Sequence, residues 1–247
     1  AAANGDGGAA DAAADDAPAK EAAPAPAAAE VWQGKPGGAG GVAAEGLKVE
    51  FPKGWYVSDR DGADTFGARL LVSALDLRSG FVASVSVSEV RPLLEEYYGV
   101  DTTRGRAVGT LADLGQPAER IAQLLQRQRD GTLKQAPLST ELSGVAGPAD
   151  SRFLSFQSKT VFKPVENAKG ILPRNPWGGP VAPNPISEET QKVEAKPIVR
   201  LTESRSYLSG GAQPKLVTLW VSALEEQWQV PAEKAKADLL LESFTAP

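Results

Sequence analysis

No cysteine, histidine or methionine occurs in these 247 residues, and each absence excludes different chemistry. Without Cys there is no disulfide, no thiolate nucleophile and no cysteine-type zinc site. Without His there is no Ser-His-Asp triad and no imidazole metal ligand, and the commonest general base near neutral pH is missing. Lack of Cys suits an oxidising compartment, where a stray thiol is a liability. Lack of Met, with a beginning of "AAANGDGG", gives the expectation of a mature chain from which a signal-type leader has been cut, since such cleavage prefers small residues. Long apolar runs are also missing, and none approaches the roughly 18 residues that would cross a bilayer.

The chain is 42% hydrophobic, enough for one core at this length. Its 31 acidic residues outnumber 26 basic ones for a net charge of -5, which denies it the positive field that nucleic-acid binding needs. Residues 1–30 combine Ala, acid, Pro and Gly and carry no aromatic or β-branched side chain. Such a stretch has no large apolar face with which to offset its ordering entropy, so it is expected to be mobile until a partner holds it.

From Gly46 the pattern changes. In "GLKVEFPKGWYVSD" Leu47, Val49 and Phe51 alternate with Lys48 and Glu50, the period of a half-buried strand, and Pro52 to Gly54 turn it. "RLLVSALDL" and "FVASVSVSEV" follow as strands joined through Arg78 to Gly80, a hairpin. "DLGQPAERIAQLLQRQ" switches to helical spacing, with Pro117 and Glu119 at its start and Ile121, Leu124 and Leu125 as an apolar stripe. "SRFLSFQSKTVF", "RLTESRSYLSG" and "KLVTLWVSALEEQW" are three further strands, and "PAEKAKADLLLESF" is a closing helix with Leu239, Leu240 and Phe244 turned inward. Strands bracketed by helices make an α+β domain with a mostly antiparallel sheet.

Lys163 to Pro197 interrupts this order with prolines, glycines and a lone Trp177; long irregular loops are usually functional or disordered. Trp177 is a candidate contact anchor, with packing on its own domain as the alternative. "GAGGVA" at Gly38 to Ala43 matches a phosphate-loop pattern in letters only, since no strand precedes it and no helix follows, and it reads as linker. Acidic pairs at Asp15–Asp16, Glu95–Glu96, Glu188–Glu189 and Glu225–Glu226 are read as solvated surface in the absence of any calcium-loop, Walker or serine-elbow motif. Trp55, Trp220 and Trp228 fall in or beside strands and are assigned to the core.

Taken in order, "AEVWQGKPGG" (29–38), "GLKVEFPKGW" (46–55), "LGQPAERIAQLLQRQ" (114–128) and "KLVTLWVSALEEQW" followed by "AEKAKADLLLESF" (215–244) make the chain resemble the PsbP and PsbP-like family of extrinsic thylakoid-lumen proteins. The likeness spans residue 29 to 247 but leaves the Ala-rich tail and the 163–197 insertion uncovered. It implies an α-β-α sandwich around the sheet, residues 1–45 as flexible tail and docking arm, and residues 46–247 as the PsbP-like domain. It also implies a chloroplast thylakoid-lumen location, peripheral on the membrane face, and a non-enzymatic role beside photosystem II. The partners would be core subunits and other extrinsic lumenal proteins, and the role would be retention of the calcium and chloride needed for water oxidation, with no cofactor bound directly. Val31, Trp32, Gly34, Lys35 and Pro36 would order on docking, Trp32 as apolar anchor and Lys35 as charged contact; the alternative is a linker whose tryptophan simply covers the domain. Metal binding through histidine, credited to some members, does not carry over, because no histidine is present. Related paralogues act in photosystem assembly or on photosystem I and other thylakoid complexes, and a small-ligand carrier or carboxylate-based hydrolase is a further possibility from another class.

Overall fold

The computed structural model describes residues 29–34, 44–59, 68–99, 103, 106–133, 135–163 and 197–246. The fold is α+β, built on a seven-stranded antiparallel sheet and a separate two-stranded ribbon. The ribbon joins β1 (Ala29–Gln33) to β2 (Lys48–Pro52). The large sheet contains β3 (Tyr56–Asp59), β4 (Ala68–Leu75), β5 (Val82–Glu89), β6 (Ser139–Ala146), β7 (Phe153–Phe162), β8 (Ile198–Ser209) and β9 (Lys215–Leu224), in the order β3-β4-β5-β9-β8-β7-β6. The hairpin expected around Arg78 to Gly80 joins β4 to β5, and Gly80, at φ 72, supplies the left-handed residue it needs.

Strand β9 lies at the centre, and every residue from Leu216 to Ala223 is buried. A strand covered on both faces must divide its side chains between two cores. Val217, Leu219, Val221 and Ala223 enter one core, with Phe51, Trp55, Phe81, Trp228, Leu240 and Phe244. Leu216 and Trp220 enter the other, with Leu93, Ile121, Leu125 and Phe156. The first core is closed by the ribbon, by the short helix α3 (Glu225–Trp228) and by α4 (Pro231–Ser243); the second is closed by α1 (Val90–Tyr98) and α2 (Ala118–Gly131).

The helix read from residues 114–128 is α2, preceded by a 3-10 turn at Leu111–Leu114, and its stripe of Ile121, Leu124 and Leu125 is buried as expected. The closing helix also forms, with Pro231 in its first turn and with Leu240 and Phe244 fully buried. Leu239 departs from the expectation and is 51% exposed: 3.6-residue spacing from Ala237 and Leu240 turns it off the inward face. Trp55, Trp220 and Trp228 are all core residues. Helix α1 and strands β1, β3 and β6 are additions to the elements expected from sequence, and the strand expected over "KLVTLWVSALEEQW" ends at Leu224, where Glu225–Trp228 turn into the short helix α3.

Candidate functional site

The leader segment does not stand apart from the domain. Residues 29–33 pair antiparallel with β2, placing Val31 opposite Glu50 and Trp32 opposite Val49. The other edge of β2 is occupied by the C-terminal segment: Lys48 and Thr245 exchange backbone hydrogen bonds of 3.0 and 3.1 Å, and the Glu50 N–H donates to Ser243 Oγ at 2.9 Å. The outer edge of β1 therefore has no strand on it among the described residues. Trp32 is half-buried against the first core, and its indole N–H donates to Asp59 Oδ1 at 3.0 Å. Val31, on the opposite face, is 57% exposed.

Gly34 continues this contact. It is buried, its N–H donates to the Leu47 carbonyl at 3.0 Å, and its own carbonyl accepts from Gly46 at 3.4 Å. A Cβ at Gly34 would run into the Ala44 carbonyl. The expected boundary at residue 45 falls in the connection between two strands that pair with each other, as "AEVWQ" finds a complementary strand in "KVEFP". Of the other expected contact residues, Lys35, Pro36 and Trp177 lie outside the described residues, as do nearly all of the tail, the "GAGGVA" linker, residues 164–196 and the pairs Asp15–Asp16 and Glu188–Glu189.

A second arrangement lies beneath the end of α2. Across β7, β8, β9 and β5 the side chains Ser158, Thr202, Ser222 and Val82 share one ladder row. Thr202 Oγ1 donates to Ser222 Oγ at 3.0 Å. Arg129, in the last turn of α2, donates from Nη1 to Thr202 Oγ1 at 2.9 Å and stacks its guanidinium 4.8 Å from the Trp220 ring centre. Arg200 reaches the same pair from β8, with Nε on Ser222 Oγ and Nη2 on the Ser222 carbonyl, both at 3.3 Å. Burial pushes the Arg129 guanidinium down to about 10, with Asp130 opposing the drop and Arg200 adding to it; burial lowers Arg200 as well.

The nearest carboxylate in sequence, Asp130, is turned elsewhere: Oδ1 accepts from Gln126 Nε2 at 2.8 Å and Oδ2 from Thr140 Oγ1 at 3.0 Å. Ser158 Oγ, Ser204 Oγ and Gln126 Oε1 are buried without a hydrogen-bond partner. Of these three only Gln126 borders a cleft of about 400 Å³ between α2 and β6, which Gln123, Arg127, Asp130, Thr140 and Leu142 also line. This arrangement can hold a negatively charged or strongly hydrogen-bonding group.

Sequence reading missed it because the alternating Ser and Thr of β5 and β8 look like a solvent face. The usable signal was their regularity at Thr202, Ser204 and Ser206, with small hydroxyl side chains where a washed strand would carry long charged ones. Of the acidic pairs, Glu225 and Glu226 form the first turn of α3, and Glu225 pairs with Lys159 at 2.7 Å. Glu95 is an exposed residue of α1. Among the described residues no three carboxylates gather as metal ligands, and no helix is long and apolar enough to cross a membrane. In comparison with known proteins, no family model and no curated protein matches this chain.

Proposed function

We propose that this chain is a non-enzymatic extrinsic protein of the thylakoid lumen that docks on photosystem II through its leader segment and helps retain calcium and chloride at the water-oxidising centre. The reading rests on the ordered PsbP-like landmarks between residues 29 and 244. Helices on both faces of the antiparallel sheet suit the α-β-α sandwich of that family. The observation that carries the docking role is the leader strand itself: Trp32 anchors it on the domain while Val31 and the outer edge of β1 face outward. An anchored strand costs little further entropy when a partner covers it, which favours association. Lys35 and Pro36 follow directly in the chain and extend the contact, and Trp177 in the 163–197 insertion supplies a second apolar anchor. The net charge of -5 argues against nucleic acid as the partner.

The test is retention of solubilised thylakoid complexes on the immobilised full chain and on its Val31→Asp variant. Retention of photosystem II core subunits by the parent, lost in V31D, is the expected result. Retention of photosystem I or another complex by both chains would replace this reading with that of an assembly factor or accessory subunit, and retention of neither would overturn both.

A further inference from the structure

We propose that Arg129 and Arg200, which converge on the Thr202–Ser222 hydroxyl pair, form with Ser158 of the same ladder row a binding site for a phosphate-type oxyanion. Two guanidiniums converge on one hydroxyl pair, Arg129 through Thr202 at 2.9 Å and Arg200 through Ser222 at 3.3 Å. Among the described residues no carboxylate lies within ion-pair distance of either, and Asp130 is already held by Gln126 and Thr140. Like charges brought together at a partly desolvated site cost free energy that an anion between them removes.

Geometry adds to this. A cation–π contact with Trp220 and the hydrogen bond to Thr202 restrain the Arg129 guanidinium, and the Trp220 ring is itself held by an indole N–H bond of 2.9 Å to Ser86 Oγ and by an edge-on contact with Phe156 at 5.6 Å. A planar fork held in place suits the oxygens of a phosphate or carboxylate better than a monatomic ion. Among the described residues Arg129 spends one hydrogen bond on the protein and Arg200 two long ones, so donors remain on both. Ser158 is the independent pointer: it is 2% exposed, it faces Thr202 across the β7–β8 ladder, and its Oγ has no partner. A buried hydroxyl left unsatisfied is costly, and an oxyanion oxygen over the Thr202 row would accept a hydrogen bond from it.

The experiment is calorimetric titration of the full chain with inorganic phosphate at constant ionic strength in chloride. The parent should bind with a Kd near or below about 1 mM, and Arg200→Gln should weaken binding by about tenfold or more. Arg200→Lys, which keeps the charge and loses the fork, should fall between the two and serves as the second variant if R200Q does not fold. Lys53→Gln, at an exposed turn, should leave the affinity unchanged. A parallel titration with glycerol 3-phosphate separates the sources: tighter binding than inorganic phosphate assigns the site to a phosphomonoester, weaker binding to the free ion, and either sustains the site. No phosphate binding by the parent, equal binding by R200Q, or an equal loss in K53Q would overturn the proposal.

Discussion

Replacing Gly34 with alanine adds one methyl group at a place that has no room for it. Gly34 has no left-handed backbone requirement, and the constraint is the Ala44 carbonyl standing where the Cβ would go. Backbone is a poor neighbour to displace, because Ala44 also accepts the Leu47 N–H at 3.2 Å and Leu47 in turn accepts from Gly34. Overpacking of this kind costs roughly 1–3 kcal/mol, which for a domain of this size is roughly 2–12 °C in Tm. The chain can evade the clash by lifting β1 from β2, at the loss of the Trp32–Asp59 hydrogen bond and the half-burial of the indole. G34A should therefore show a lower Tm together with faster amide exchange at residue 34 and across β1. Val31→Ala, at an exposed position on the same strand, should shift stability by no more than about 0.5 kcal/mol. A G34A protein that melts with the parent and keeps its amide protection would refute the docking of the leader on the domain.

The remaining predictions concern the first core and its rim. Trp228 is 7% exposed, lies 5.1 Å from the Phe81 ring and donates its indole N–H to the Leu201 carbonyl at 3.1 Å; Trp228→Ala should cost roughly 3–5 kcal/mol in urea unfolding, and a loss below about 1 kcal/mol would contradict its place in the core. Asp76 has a lowered pKa: burial works to raise it, but the Arg78 N–H, the Ser79 hydroxyl and Lys236 together outweigh burial. Its stabilisation is therefore present above the unfolded value near 3.8 and lost as pH falls through the folded value below that. Asp76→Asn should be less stable than the parent at pH 7 by roughly 1–3 kcal/mol, with the gap closing as acid unfolding is followed below about pH 4; a gap that does not depend on pH would show the carboxylate charge to be irrelevant there.

Much of the fold was legible because one physical rule decided it. Where apolar residues recur at a clean period, as in "GLKVEF", "FVASVSV" and the Ile121–Leu125 stripe, burial and pattern agree. Helix α1 was missed although Val90, Leu93 and Leu94 carry helical spacing and are all buried, because it starts directly from the end of β5 and is only nine residues long. Strand β6 was missed because as an edge strand it buries little and breaks register at a bulge between Ser143 and Ala146, where Gly144 takes φ 59. The leader was read as separate because pairing between residues 29–33 and 48–52 is a non-local fact, and the family resemblance of "AEVWQGKPGG" implied a docking arm.

The hydroxyl-rich sheet face is the more instructive case, since it separates polarity from exposure. Alternation of Val with Ser in β5, or of Thr and Ser with charged residues in β8, does not say which side is wet. Ser and Thr fit under a helix when their hydroxyls satisfy one another, as Ser206 with Thr218 at 2.9 Å and Thr202 with Ser222 at 3.0 Å, or take a partner from above, as Ser88 donating to Gln128 Oε1 at 2.6 Å. Helix α2 answers in kind by burying Gln126 and Gln128 beside Ile121 and Leu125. An interface of neutral hydroxyls and amides can balance its own hydrogen bonds, and most of this one does. Arg129 and Arg200 bring charge to that neutral floor with no carboxylate within ion-pair distance among the described residues, and Ser158, the one hydroxyl of the row left without a hydrogen-bond partner, lies opposite Thr202 across the ladder. The guanidinium charge and the unpartnered Ser158 hydroxyl belong to one ladder row, where a bound oxyanion would answer both, whereas Ser204 Oγ and Gln126 Oε1 would stay without partners.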